Sequence, residues 1–201
     1  MAIKPGDPYL AFKRGSALIA CDRYEEALDC FDQAFAIAPP NADALEGRAN
    51  ALVALQRHAE AITNYDQALA IAPESPRVHW NRALALLRAG DFDRGWKEYE
   101  WRWKVDYLSL QPRDFPAQLL WLGERSLEGK TILLHAEQGL GDSVQMARFA
   151  PLLAARGARV LIQAPAMLLP LLRTLAGEPT LIAHHQPLPD FGQTMVRPHR
   201  T

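Results

Sequence analysis

The chain has 201 residues, 49% of them hydrophobic, which is enough for a sizeable core in one or two domains. Its 22 Lys and Arg against 23 Asp and Glu leave a net charge of −1, so no basic excess argues for nucleic acid and no acidic tail appears. No apolar run approaches the ~20 residues that cross a bilayer, and the stretch MAIKPGDPYLAFKRG lacks the apolar core and cleavage site of a signal peptide, so a cytoplasmic protein without membrane contact is expected.

Residues 8–109 repeat with a spacing of 34. Leu18, Leu52 and Leu86 share that spacing, as do Ala27, Ala61 and Gly95, and Phe31, Tyr65 and Tyr99. Gly15, Ala49 and Ala83 place small side chains midway along the first helix of each unit, where two backbones must approach. Nearly identical text, FDQAFAIAP and YDQALAIAP, closes the first two units at Pro39 and Pro73, which cannot continue a helix. Pro76 follows Ser75 and suits the first turn of the next helix. A 34-residue period with Ala-x3-Phe/Tyr and a later Pro marks the helix-turn-helix solenoid of the tetratricopeptide repeat. The units read as 8–41, 42–75 and 76–109. Stacked repeats form curved surfaces that hold peptides or other proteins, so a protein or peptide partner is expected.

Another set with the same spacing is Arg14, Arg48 and Arg82. These guanidiniums could line a groove and grip carboxylates, or their heads could meet local acids such as Glu46 or Asp66 while their stems pack between helices. Lys13, Asn50 and Asn81 are further candidates for peptide contacts on the first helices. Cys21 and Cys30 read as free thiols in a reducing compartment, and no metal or other cofactor is expected. In the third unit, Phe92, Trp96, Tyr99 and Trp103 are spaced as one helical face and read as an apolar seam, with a ligand-stacking platform as the alternative; Trp101 lies off that stripe.

Residues 110–129 read as a connector with local packing from Phe115, Leu119, Leu120 and Trp121. TILLH (131–135) is an expected strand, followed by the loop AEQGLG, a helix from Asp142 to about Arg156 ended by Gly157, and a second strand RVLIQA (159–164). AMLLPLLRTLAG reads as a helix that Pro170 bends or interrupts, and TLIAH (180–184) as a third strand. Strand, glycine loop, helix and strand make a βαβ unit and predict a parallel α/β sheet. The Gly139-x-Gly141 spacing is a weak dinucleotide fingerprint, with no third glycine and no acidic residue at a second strand end.

GDFDRGWKEYEWRW (90–103), the Trp-x-Gly at 121–123 and LLHAEQGLGDSVQMARFAPLLAARGARV (133–160) resemble bacterial tetratricopeptide proteins with a glycosyltransferase-like C-terminal module. That module is similar to heptosyltransferase-type and O-linked N-acetylglucosamine transferase-type enzymes, which use two Rossmann-like halves. The resemblance implies a partial α/β Rossmann-like module over 130–190. It makes Asp142, after Gly141, the carboxylate that takes the acceptor proton, with Gln138, Gly139, Gly141 and Gln145 at the substrate. Asp142 is equally the preferred type of N-cap for the helix it precedes. Glu137 and His135 are weaker candidates, and His135 is expected to be a hydrogen-bonded structural residue. No second half is seen for the sugar nucleotide, and 191–201 reads as an irregular, basic tail. The expectation is therefore a scaffold whose α/β part is inactive alone, packed against Trp96, Trp103 and Trp121 or self-associating through a strand edge. A glycosyltransferase completed by a missing donor-binding half is the alternative.

Overall fold

The computed structural model describes residues 7–108, 120–121, 123, 125–136, 139–189 and 195–198, and the chain divides into two compact units, Met1–Leu110 and Gln111–Thr201. In the first unit, three helical hairpins follow one another: α1 (Pro8–Ala20) with α2 (Tyr24–Ile37), α3 (Ala42–Ala54) with α4 (His58–Ile71), and α5 (Pro76–Arg88) with α6 (Phe92–Tyr99). Helix starts are encoded locally. Asp7 accepts from the Tyr9 amide at 2.9 Å, Asn41 from that of Ala44 at 2.8 Å and Asp91 from that of Arg94 at 3.2 Å. Each satisfies a donor that a first helical turn leaves without a partner. α2 and α4 end at Ile37 and Ile71, one residue short of Ala38 (ψ 152°) and Ala72 (ψ 75°), because the residue before a proline is driven out of the helical region.

The turn inside each hairpin also repeats. Asp22 (φ 58°), Gln56 (φ 61°) and Gly90 (φ 84°) all take the left-handed conformation. The amide after each closes the first helix: Arg23 to the Leu18 carbonyl at 3.0 Å, Arg57 to that of Leu52 at 2.9 Å, Asp91 to that of Leu86 at 3.0 Å. Gly90 adopts this geometry freely, whereas Asp22 and Gln56 carry a steric cost on the order of 1 kcal/mol.

The small residues at the repeat positions let these helices touch. Ala27, Ala49, Ala61 and Ala83 are wholly buried, as is the ring of Phe31. That ring lies between two glycine backbones: a Cβ on Gly15 would sit 3.0 Å from Phe31 Cζ, and one on Gly47 only 2.7 Å. In the next unit Tyr65 is buried in the equivalent place, and its hydroxyl donates to Asn50 Oδ1 at 2.6 Å.

The third hairpin departs from the expected stripe. α6 stops at Tyr99 and a 3-10 turn, Glu100–Lys104, follows, so Phe92, Trp96, Tyr99 and Trp103 do not form one helical face. Phe92 is 59% exposed and belongs to no buried seam. A 3-10 turn advances side chains by about 120° per residue rather than ~100°. The off-stripe Trp101 instead stacks on His79, with ring centroids 3.8 Å apart and planes 4° from parallel.

The second unit holds a parallel sheet in the order β1-β5-β2-β3-β4, built from β1 (Leu120–Trp121), β2 (Thr131–His135), β3 (Arg159–Ala164), β4 (Thr180–Ala183) and β5 (Met195–Pro198). The apolar runs of β2 and β3 suit burial on both faces. One face places Ile132, Val160 and Ile162 with Trp121, Leu127, Ala147, Ala150, Leu153 and Leu172, and the other groups Leu133, Leu161 and Ile182. Trp121 thus packs within its own unit, and its indole N–H donates to the Arg125 carbonyl at 2.9 Å. Phe115 and Leu119 lie outside the described residues.

Three expectations change here. The helix read from Asp142 to about Arg156 is two helices, α7 (Leu140–Ala147) and α8 (Ala150–Ala155), and Pro151 lies in the first turn of α8. The helix read over AMLLPLLRTLAG is a 3-10 turn (Ala166–Leu168) followed by a short helix, α9 (Leu169–Leu172), with Pro170 in the first turn of α9, where its missing N–H is harmless. The tail read as irregular contributes β5, whose partners stand far away in sequence and leave no local periodic signal.

Candidate functional site

α3 touches both α1 and α5, so the first helices of the three hairpins make one continuous layer. Polar side chains tie it together. Arg77 on α5 reaches Asp43 Oδ1 at 2.9 Å and Glu46 Oε2 at 2.8 Å on α3, and Asn81 donates to Glu46 Oε1 at 2.9 Å. Asp43 and Arg77 are exposed, while Glu46 is 2% exposed. Asp43 and Arg77 occupy the same place in successive repeats, and their opposite charge at a 34-residue offset was the signal that could have revealed this link.

Burial pushes the Glu46 carboxyl above its ordinary value of 4.5, with Arg77 opposing the shift. A raised folded-state value means that the native state holds the proton more tightly. The resulting stability is fully present below the unfolded value and is lost as pH rises through the folded one. Urea unfolding should therefore show the wild type losing stability relative to Glu46→Gln as pH rises through the window just above 4.5. A difference that stays constant with pH would refute this assignment.

The arginine set divides. Arg48 Nε lies 2.8 Å from Asp32 Oδ1 on α2, and its Nη1 donates to Asn64 Oδ1 at 3.4 Å on α4. Arg82 Nη1 meets Asp66 Oδ1 at 2.7 Å on α4, and its Nη2 meets Glu98 Oε1 at 2.8 Å on α6. Both guanidiniums therefore join consecutive hairpins through the second helices. Arg14 is exposed and forms no ion pair among the described residues. Lys13 is exposed too, its ammonium 5.3 Å from the Tyr9 ring centroid and 5.4 Å from that of Phe12. Asn50 is held by Tyr65, and Asn81 by Glu46.

A half-buried cluster that the repeat pattern did not announce sits beside Arg82. His79 Nδ1 lies 2.5 Å from Glu98 Oε2 and its Nε2 lies 2.8 Å from the Pro73 carbonyl, both acceptors. Lys104 Nζ rests 3.8 Å from the centroid of Trp101, the ring stacked on His79. In the second repeat Leu45 stands where His79 does, so repeat comparison marks the position as core rather than polar.

The other candidate region follows β2. His135 Nδ1 donates to Gln163 Oε1 at 2.8 Å, and its ring lies 5.4 Å from that of His184. Gly139 (φ 24°) is the N-cap of α7, so Asp142 is not: it stands in the first turn, exposed, where a carboxylate favours the positive end of the helix. The helix begins two residues earlier than expected because Gly139 supplies the turn and its carbonyl takes the Ser143 amide and hydroxyl, at 3.2 and 3.0 Å. Gly141 and Gln145 are exposed on α7; Glu137 and Gln138 lie outside the described residues. Among the described residues no cluster of His, Cys, Asp and Glu has the makings of a metal site, and no helix is long and apolar enough to cross a membrane. Both cysteines are free, Cys21 exposed and Cys30 buried.

Residues 8–41 match the family model of the tetratricopeptide repeat, and residues 49–90 match a second model of the same repeat. Protein FlbA of Caulobacter vibrioides is 40% identical over 70 residues, 35% of this chain and 11% of that protein, so the chain aligns with only a small part of that relative. Among solved structures, the first tetratricopeptide domain of Spaghetti (RPAP3), bound to an HSP90 peptide, is 20% identical over 51% of this chain and 81% of that one, with a TM-score of 0.47. The Sgt2 tetratricopeptide domain from Aspergillus fumigatus is 22% identical over 61% and 95%, with a TM-score of 0.45. MamA from Desulfovibrio magneticus is 20% identical over 51% and 58%, with a TM-score of 0.47.

Proposed function

We propose that the tetratricopeptide stack of the first unit is a binding scaffold for a protein or an extended peptide, held along the layer of α1, α3 and α5. The observation that supports this reading is the layer itself, a continuous surface on which Lys13 stands exposed over the Tyr9 ring and the Asp43–Arg77 ion pair is exposed on α3 and α5. Repeat stacks present such surfaces because each hairpin contacts only its neighbours and the array curves. Lys13, Arg14, Asn50 and Asn81 are the proposed contacts. Arg48 and Arg82, joined to Asp32 and Asp66, are proposed to set the relation between hairpins rather than to grip the ligand. Peptide display against the full chain, followed by NMR mapping of an enriched sequence, tests the reading. Amide shifts should concentrate in α1, α3 and α5, and Lys13→Glu should weaken binding of an acidic sequence about fivefold or more. Failure of any sequence to enrich, or mapping confined to α2, α4 and α6, would overturn it.

A glycosyltransferase-like second unit is the second reading. The observation that favours it is a parallel sheet whose β2 is followed by an exposed Asp142 in the first turn of α7, a position from which a carboxylate could accept a proton from an acceptor hydroxyl. Gln138, Gly139, Gly141 and Gln145 would line that substrate. We expect no donor hydrolysis or sugar transfer by this chain alone; turnover with a nucleotide sugar that is lost in Asp142→Asn would reverse the order of the two readings.

A further inference from the structure

We infer that His79 is a proton-dependent latch, which fastens the third hairpin when its ring is charged and releases one of its two holds when the ring is neutral. His79 stands on α5 with an oxygen at each ring nitrogen. Nδ1 lies 2.5 Å from Glu98 Oε2 on α6, and Nε2 lies 2.8 Å from the carbonyl of Pro73, just past the end of α4. The carboxylate of Glu98, whose Oε1 also meets Arg82 Nη2 at 2.8 Å, and the Pro73 carbonyl are both acceptors. A neutral imidazole has one N–H and one lone pair, so it satisfies one of these oxygens and turns its lone pair on the other. Only the imidazolium donates to both. The ring is buried, so water does not replace the hold that a neutral ring loses. Of the charged side chains around it, Glu98 favours the imidazolium. Arg82, one turn along α5, and Lys104, whose ammonium lies 3.8 Å from the Trp101 centroid, oppose it. Trp101 lies flat on the ring, at 3.8 Å and 4° from parallel, a contact that suits a cation.

The repeat shows that stacking itself does not require this device. In the second repeat Leu45 holds the place of His79 and Asn64 that of Glu98, and both are buried. Arg48 still reaches Asn64 Oδ1 at 3.4 Å, as Arg82 reaches Glu98. Both members of the pair therefore change together, from neutral to ionisable, and the ties of the third hairpin alone gain a dependence on one proton. The hold is complete on the acid side and weakens as pH rises through the range in which histidine loses its charge, about 5 to 8.

The test uses the full chain. Nitrogen NMR of the His79 ring would be combined with amide exchange from about pH 5.5 to about 8, corrected for the intrinsic exchange rate. Both ring nitrogens should carry protons at the acid end. Protection of α6 relative to α1 and α2 should fall at least about tenfold at the other end. In Glu98→Gln the amide accepts from Arg82 and donates to the lone pair of a neutral ring, so the fall should vanish or reverse. In His79→Leu, which copies Leu45, it should vanish. Glu46 is common to all three proteins, so the differences report the latch, and either variant decides without the other. A ring with one proton at pH 5.5, protection of α6 that does not change with pH in the wild type, or an equal fall in either variant would overturn the inference.

Discussion

Phe31→Ala should cost the first unit about 3–5 kcal/mol, the range for removing a buried aromatic side chain whose site cannot collapse. The ring is 0% exposed and sits between the backbones of Gly15 and Gly47, which belong to two different hairpins. Neither glycine has a side chain to swing into the gap, and Phe12, with its centroid 6.2 Å away, touches only one side. A domain is stable by roughly 5–15 kcal/mol in total, so such a loss should be visible as a large drop in the urea midpoint and faster amide exchange in α1, α2 and α3. Gly47→Ala approaches the same contact from outside. It gains up to ~1 kcal/mol of helix propensity but puts a methyl 2.7 Å from Phe31 Cζ, and a net loss is expected because the ring has nowhere to go. Unchanged stability in the Phe31 variant would show that the ring is not the wedge between hairpins.

Gly157→Val should destabilise the second unit by about 2–4 kcal/mol, combining left-handed strain with overpacking. Gly157 has φ 83° at the turn from α8 into β3, and a Cβ there would lie 2.3 Å from Glu128 Oε2 and 3.1 Å from Glu128 Cα. The carboxylate can swing aside, but the backbone atom cannot. The Gly157 carbonyl also accepts from the Gly129 amide at 3.1 Å, so shifting the turn to make room breaks that link. Hydrogen exchange in β2 and β3 is the readout, and full protection in the variant would refute the argument.

The sequence displayed the first unit in detail because its signals are local and repeated. Pro39 and Pro73 stop helices, Asp7, Asn41 and Asp91 start them, and the Ala, Gly and aromatic positions recur at the packing contacts. What stayed hidden depends on geometry that no period encodes. Gly47 clamps Phe31, yet the matching places in the neighbouring repeats hold Lys13 and Asn81, so no recurring small residue marks the contact. Trp101 meets His79 because a 3-10 turn rotates the chain after Tyr99. In the second unit, β2, β3 and β4 were legible as apolar runs, whereas β1 and β5 are two and four residues long and exist as strands only through each other and β2. Of the candidate contacts, the arginine spacing was visible but its direction was not: one spacing serves equally for a groove and for a tie between hairpins, and only the positions of Asp32 and Asp66 separate the two.

The order of the sheet has a kinetic consequence. Each helical hairpin closes over a short stretch of chain, so the first unit collects its contacts quickly. In the sheet, β1 has β5 as its neighbour, and Trp121 waits for Pro198 to return from the far side of the unit. Until that slow search ends, the rim of β2 that β5 will occupy is an open template for any passing strand. During refolding at high concentration, intermolecular clumping should thus begin at β2 while the helices are already in place.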